Sequence, residues 1–312
     1  MIKQTIHSLV CLACFIACSD PASEKIEPSE LYPVQFNIGL QRDVLAFPST
    51  TKSMPAVDVP EPTASSQDGT TTELGDICSA IEYLVYDEND TSKPLKHRTY
   101  RIGDEDFGIV YDTLPEGNYL LRFLAHSTTT TQFADNIFLF DKVSDTFYEA
   151  ADLIIDKKAQ DRTEDISLER IVCRVEFRAS DVVPDEVKRF DISVKNQANK
   201  LNAFSGKGIA SAETQKFSDE FTTEDVGKTE YTHSFYTFVP ENNEALSVNI
   251  ASIGAAGDTI RAWTISDVSP LTNKIIRYTG ELYSPAQSEG SFNISIIDGS
   301  KWGSVDEKEL TD

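Results

Sequence analysis

Residues 166–177, Ile-Ser-Leu-Glu-Arg-Ile-Val-Cys-Arg-Val-Glu-Phe, carry two alternating apolar patterns that are out of phase. Ile166 and Leu168 fall on one parity, whereas Ile171, Cys173, Val175 and Phe177 fall on the other. Side chains alternate faces along a strand, so a slip of one residue sends the whole apolar set to the opposite face. The phase changes at Glu169 and Arg170, and one uninterrupted strand cannot do this without a bulge. The reading adopted is that one β-domain closes at Leu168 and a second opens at Ile171. The alternative is a bulge inside a single sandwich. This divides the body into residues 31–168 and 169–312.

A chain of 312 residues is long enough for two such domains, each with its own core. Its 40% hydrophobic and 25% charged content is that of a folded body. Lys and Arg number 28 against 51 Asp and Glu, a net charge of −23. Nucleic acid and anionic lipid both demand clustered cations, so neither is expected as an electrostatic partner. Three of the five cysteines lie in the first 18 residues, leaving Cys78 and Cys173 in the body. That excludes a disulfide scaffold. Two buried thiols are expected, with a single bridge in an oxidising compartment as the alternative.

Residues 1–17 have the layout of an export signal: Lys3, then a mostly apolar run from Leu9 that is too short to span a bilayer. The run ends Phe15-Ile16-Ala17-Cys18, which resembles the lipobox of bacterial lipoproteins, where the cysteine becomes the lipid-modified first residue. Cys14 is the rival, but it leaves the apolar run too short, so Cys18 is taken as the lipidation site. Residues 18–30, with Pro21 and Pro28 among acids, have the composition of a solvated tether.

Val34, Phe36 and Ile38 then alternate with polar residues as a half-buried strand, which resumes at residues 44–47 on the same reasoning. Residues 48–76 are rich in Ser, Thr, Pro and Asp and form a long strap behind that strand. Beyond it come short alternating runs: Ile81, Tyr83 and Val85; Phe107, Ile109 and Tyr111; Tyr119, Leu121 and Phe123; Phe190, Ile192 and Val194; Leu246, Val248 and Ile250. Leu114-Pro115-Glu116-Gly117 suits a type I turn. No segment sustains a helical period, and residues 184–189 are the best candidate for a short helix. Strands at this spacing without intervening helices predict an all-β chain of antiparallel sandwiches.

Catalytic signatures are missing from the sequence. It contains no Gly-x-Ser-x-Gly elbow, and Ser205-Gly206-Lys207-Gly208 lacks phosphate-loop spacing. His97, His126 and His233 are far apart in sequence with no metal-ligand spacing, and are read as ordinary core or surface histidines. Asp87-Glu88-Asn89-Asp90-Thr91 starts like a calcium loop, but Ser92 and Arg98 stand where glycine and an acid are needed, so a solvated turn is expected. Neither enzyme activity nor a cofactor nor a metal is predicted.

Taken together, several segments resemble the Bacteroidetes fimbrillin-like lipoproteins. They are Ile81-Glu82-Tyr83-Leu84-Val85-Tyr86-Asp87, Leu114-Pro115-Glu116-Gly117-Asn118-Tyr119, Leu168-Glu169-Arg170-Ile171-Val172-Cys173-Arg174-Val175, Val268-Ser269-Pro270-Leu271-Thr272-Asn273 and Thr279-Gly280-Glu281-Leu282, with a closing run that reaches Trp302. Their order together with the lipobox carries the likeness, although Cys173 stands where the family more often has alanine. The resemblance implies two tandem transthyretin-like β-sandwiches and a place in a cell-surface fimbria on the outer membrane, with other fimbrial subunits as partners and the membrane held through lipid. It further implies that polymerising members lose their first strand after a cut behind it and accept a strand from the next subunit. Here Val34, Phe36 and Ile38 mark the removable strand, and Arg42 or Lys52 the cut. An anchor would keep its lipid. The rival function is a surface adhesin or glycan-binding sandwich outside any fimbria. Acyl chains stabilise membrane attachment by about 0.8 kcal/mol per buried CH₂. Cys18→Ala is therefore expected to move the protein out of the membrane fraction, checked by fractionation in high salt.

Overall fold

Among the described residues, every regular element but one is a strand. The computed structural model describes residues 30–41, 73–157, 162–285, 291–298 and, as backbone, 305–307. The first half runs β1 (Tyr32–Leu40), the helical turn α1 (Leu74–Ile77), β2 (Ala80–Asp87), β3 (Lys96–Arg101), β4 (Ile109–Leu114) and β5 (Gly117–His126). A hairpin of β6 (Thr131–Ala134) and β7 (Ile137–Phe140) follows, then β8 (Thr146–Ile155) and β9 (Arg162–Arg170). The second half contains β10 (Val172–Ala179), β11 (Val187–Lys195), β12 (Ala198–Asn202), β13 (Gly208–Ala210), β14 (Gln215–Glu220), β15 (Thr232–Phe238), β16 (Leu246–Gly254), β17 (Thr259–Val268), β18 (Lys274–Gly280), β19 (Asn293–Asp298) and β20 (Val305–Glu307). Residues 184–189, expected as a short helix, instead form a turn that runs into β11; Val187 and Phe190, three positions apart, are both buried because the register with β16 shifts at a bulge between Val187 and Arg189.

The two halves repeat one topology. In the first, β4, β1 and β9 lie side by side and face β3, β2, β5 and β8. β8 and β9 pair only through Phe147↔Arg170 and Tyr148↔Glu169, so the sheet turns a corner there. In the second half, β15, β10 and β18 correspond to β4, β1 and β9, and β14, β11, β16 and β17 to the facing sheet. Each half has one parallel pair, β1 with β9 and β10 with β18, inside otherwise antiparallel pairing. The second half extends its first sheet with β19 and β20.

Alternation explains which residues are inside. Val34, Phe36 and Ile38 meet Tyr83, Phe123, Leu121, Val110 and Leu168 in one core. Cys173, Val175 and Phe177 meet Phe190, Ile192, Val194, Val248 and Tyr278 in another. Leu168 and Cys173, five positions apart, thus serve different cores. A third cluster belongs to both halves: Leu84, Tyr86, Leu124, Phe138, Phe140 and Val143 pack against Val172, Ala198, Leu201, Ala203 and Phe238. β10 is therefore buried on both faces, which its single apolar parity did not reveal. The backbone also crosses the joint, since β7 pairs with β12 through Lys200↔Leu139, Leu201↔Phe138 and Asn202↔Ile137.

The Ser205–Gly208 segment of the sequence sits at this joint. Gly206 adopts φ +67°, and a Cβ there would stand 2.7 Å from the Tyr148 ring of the other half. Tyr148 in turn donates its hydroxyl to the Phe204 carbonyl at 2.6 Å, and Arg122 donates to the same carbonyl at 2.7 Å. Glycine is needed for conformation and for closeness. Gly227 also has positive φ, +82°, but open space around its Cα. Gly227→Ala should cost only the left-handed conformation, about 1–2 kcal/mol. Gly206→Ala should cost measurably more in urea unfolding, and equal costs for the two variants would show that the joint does not tighten around this position.

Candidate functional site: the first strand and its neighbours

β1 is held on both edges. It pairs antiparallel with β4 from Tyr32↔Leu114 to Asn37↔Ile109, and parallel with β9 from Val34↔Arg162 to Leu40↔Leu168. The free edge of this sheet is β4, so β1 is an inner strand. Val34, Phe36 and Ile38 are 4%, 0% and 7% exposed. Phe36 packs edge-on to Phe123 with ring centroids 5.3 Å apart and lies 5.9 Å from Tyr83. Each such side chain contributes about 1.5–3 kcal/mol by burial. Removing β1 would leave a strand-wide groove floored by apolar rings, with unpaired backbone groups on β4 and β9.

The chain behind β1 enters the description again at Glu73. Leu74 of α1 packs into the same core, so the last residues of the strap, which the sequence assigns to a solvated loop, are anchored. Arg42 and Lys52, the candidate cleavage positions, lie outside the described residues, as do Cys18, residues 44–47 and Trp302.

The histidines are less ordinary than their sequence spacing suggests. On the outward face of β2, Glu82 is 2% exposed. Its Oε2 lies 2.7 Å from His97 Nε2 and accepts the Thr99 hydroxyl at 2.7 Å, while Oε1 is 3.6 Å from His126 Nε2. Three neighbouring strands thus bring His97 and His126, 15 and 44 positions from Glu82 in sequence, to one carboxylate. The aromatic rings of Phe133, Phe138 and Phe140 cover the cluster. Burial by itself raises the Glu82 pKa, but the facing His126, His97 and Thr99 outweigh it and hold the carboxyl at about 2. In the second half His233 bridges Asp219, at 2.6 Å, and the Tyr283 hydroxyl, at 2.8 Å, while stacked on Phe190. Burial pushes the His233 pKa down and the Tyr283 pKa up. The second cluster satisfies its buried polar groups inside a packed layer, whereas in the first His126 Nε2 stays beyond hydrogen-bond distance of Glu82.

The remaining candidates are structural. Cys78 and Cys173 are free, buried and in separate cores. Burial raises both thiols, Cys173 to about 12. In the calcium-like stretch, Asp87 accepts the Asn89 amide at 2.8 Å and Asp90 the Ser92 amide at 3.0 Å, an Asx-type turn. Among the described residues no group of three His, Cys, Asp or Glu side chains is placed to hold a metal ion, and no helix is long and apolar enough to cross a membrane.

Fold and site define an all-β protein of two repeated sandwiches whose first strand is clasped between two others. Residues 57–306 match the model of a family described as fimbrillin-A associated anchor proteins Mfa1 and Mfa2. The chain belongs to that family. The matched region begins after β1. Among solved structures, it is similar to the fimbrial anchor protein Mfa2 from Porphyromonas gingivalis, with TM-score 0.52 and 10% identity over 89% of this chain and 99% of that one. It is also similar to a fimbrial assembly protein from Parabacteroides distasonis, with TM-score 0.47 and 9% identity over 90% and 100% of the two chains. At 10% identity, the likeness to Mfa2 speaks for the fold alone. No curated protein matches the sequence.

The Glu82 cluster carries a pH signature. Its folded pKa lies below the ordinary 4.5, so its contribution is fully present above pH 4.5 and is lost as pH falls towards 2. Acid unfolding should cost the native protein on the order of 3 kcal/mol more over this window than it costs Glu82→Gln. Parallel stability–pH curves for the two proteins would rule the assignment out.

Proposed function

We propose that this chain is a lipid-anchored accessory or anchor subunit of a cell-surface fimbria, that it is a structural protein, and that it assembles by strand replacement in the first sandwich. Family membership over residues 57–306 is the observation that carries the fimbrial role. The lipid on Cys18 rests on the junction Phe15-Ile16-Ala17-Cys18. A domain boundary between Leu168 and Ile171 is part of the proposal, and the separate cores of Leu168 and Cys173 support it.

The arrangement of β1 supports the strand proposal. An inner strand held by two ladders and three buried side chains does not leave without replacement, because its departure exposes apolar rings and backbone donors together. A partner strand that restores both ladders and fills the pockets of Val34, Phe36 and Ile38 offsets that cost. Main-chain hydrogen bonds then give affinity, and alternate side chains give register. The strap matters because a covalent tether favours return of β1 over any competitor, while the closure cost grows only slowly with loop length. Cutting behind β1 removes this advantage.

Two measurements test the proposal. The intact mass of the protein from cells reports lipidation on Cys18 and any cut after Arg42 or Lys52 together. Proteolysis of the purified protein within the strap should then yield strand-exchanged oligomers, whereas an Arg42→Ala, Lys52→Ala variant treated with a protease specific for basic residues should stay monomeric. A lipidated, uncut mass from cells assigns the anchor role. Cut protein that stays monomeric and keeps β1 overturns strand replacement.

A further inference from the structure

The outward face of the sheet around β1 holds a cavity of about 520 Å³ that the fimbrial role leaves unused. Val34 and Phe36 point into the core, so Gln35 points out, and its register partners are Tyr111 on β4 and Thr163 on β9. Neighbouring strands lie about 4.7–4.9 Å apart, so these three side chains form a row over three strands. Thr113 follows Tyr111 on the same face, opposite Pro33. Arg98 and Arg162 flank the row and also line the cavity.

Each group has chemistry to offer. Tyr111 is 51% exposed, which leaves an aromatic ring as an open platform. Gln35, Thr113 and Thr163 bring an amide and two hydroxyls that both donate and accept. Arg98 donates to the Tyr111 carbonyl at 3.0 Å and stands 3.4 Å from Asp112 Oδ1. That same oxygen already accepts the Lys96 ammonium at 2.7 Å and the Thr113 amide at 2.8 Å, and Oδ2 accepts the Tyr83 hydroxyl at 3.2 Å. Two cations therefore face one carboxylate, a local excess of one positive charge in a chain of net charge −23. Arg162 is balanced by Glu164 and donates to the Ile154 carbonyl at 3.0 Å.

A ring platform, an amide, hydroxyls and a guanidinium that must share its one carboxylate with Lys96 fit a ligand with an apolar C–H face, a hydroxyl rim and a single carboxylate. We propose that this cavity binds a carboxylate-bearing saccharide. The sugar ring lies on Tyr111, its hydroxyls exchange hydrogen bonds with Gln35 and Thr163, and its carboxylate takes the fork of Arg98, whose planar geometry suits it. Gln35 belongs to β1, so the site is complete only while β1 is in place. The proposal goes beyond the fimbrial role and does not depend on strand replacement.

The test uses the full uncut chain and titration calorimetry with trigalacturonate and sialyllactose as acidic saccharides and maltotriose as the neutral control. Binding of at least one acidic saccharide is expected, at least tenfold tighter than maltotriose. Arg98→Gln and Tyr111→Ala should each weaken it at least tenfold, and Lys200→Gln, at the distant joint, should leave it unchanged. Near-UV circular dichroism checks the fold of each variant. Should Arg98→Gln fail to fold, Arg98→Lys keeps the charge beside Asp112 and loses only the fork. Absence of binding to both acidic saccharides, equal binding of maltotriose, or retained affinity in the folded Arg98 and Tyr111 variants overturns the proposal.

Discussion

Arg170 holds the molecule at the point where its two halves meet. Its side chain, 2% exposed, gives two parallel hydrogen bonds to Asp145, Nε to Oδ1 at 2.7 Å and Nη2 to Oδ2 at 2.8 Å. A third donor reaches Asn273 Oδ1 at 3.1 Å, in the loop ahead of β18, and the guanidinium lies 4.9 Å over the Phe147 ring. Asp145 belongs to the first half and Asn273 to the second. A buried bidentate pair is geometrically specific, and loss of one partner leaves a charge without compensation, at a cost of about 3–5 kcal/mol. This fixes the direction in which β9 ends and β10 begins. Ile171 between them is outside both strands and donates its amide to the Thr146 carbonyl at 3.0 Å. The phase shift is thus a crossing between sheets, with Arg170 as its clamp.

Around that clamp the two halves reuse one plan and differ in what they add. The β6–β7 hairpin of the first half and the β12–β13 pair of the second are insertions into the common plan, and they join each other through β7 and β12. Rings from both sides seal the joint: Phe140 and Phe238 lie 5.0 Å apart, and Phe204 meets Tyr86 at 5.2 Å and the Arg122 guanidinium at 4.2 Å. A continuous ladder with aromatic packing makes a stiffer link than a chain crossing alone. Force applied to a fimbrial subunit would be carried through this joint as well as through the covalent connection.

The inner position of β1 bears on both functional readings. As a strand between two others it can be replaced only by something that restores two ladders, which favours a well-matched partner over adventitious edge pairing. The same strand supplies Gln35 to the cavity on the outward face, so the proposed strand replacement and the proposed ligand recognition would share one structural element on opposite faces.

The sequence by itself determined which residues face inward in most strands. β4 is the exception, where the run Phe107, Ile109 and Tyr111 has the outward parity and Val110, Asp112 and Leu114 are buried, because a buried Asp112 breaks the apolar pattern. Strand alternation has a period of two, so Val34, Phe36 and Ile38, or Leu246, Val248 and Ile250, declare their buried face without reference to any partner. The break in phase at Arg170 likewise announced a change of sheet. Alternation says nothing about which strand lies alongside. The parallel pairing of β1 with β9, more than a hundred residues away, and the meeting of β7 with β12 depend on long-range packing and were settled only by the tertiary structure. The polar clusters were hidden for the same reason. Glu82, His97 and His126 sit on three strands with no regular spacing, and Arg174 and Glu176 look solvent-facing until the third cluster covers β10 on its second side. Local pattern fixes the face of a strand. Only the arrangement of the sheets decides whether that face meets water, another sheet or a buried charge.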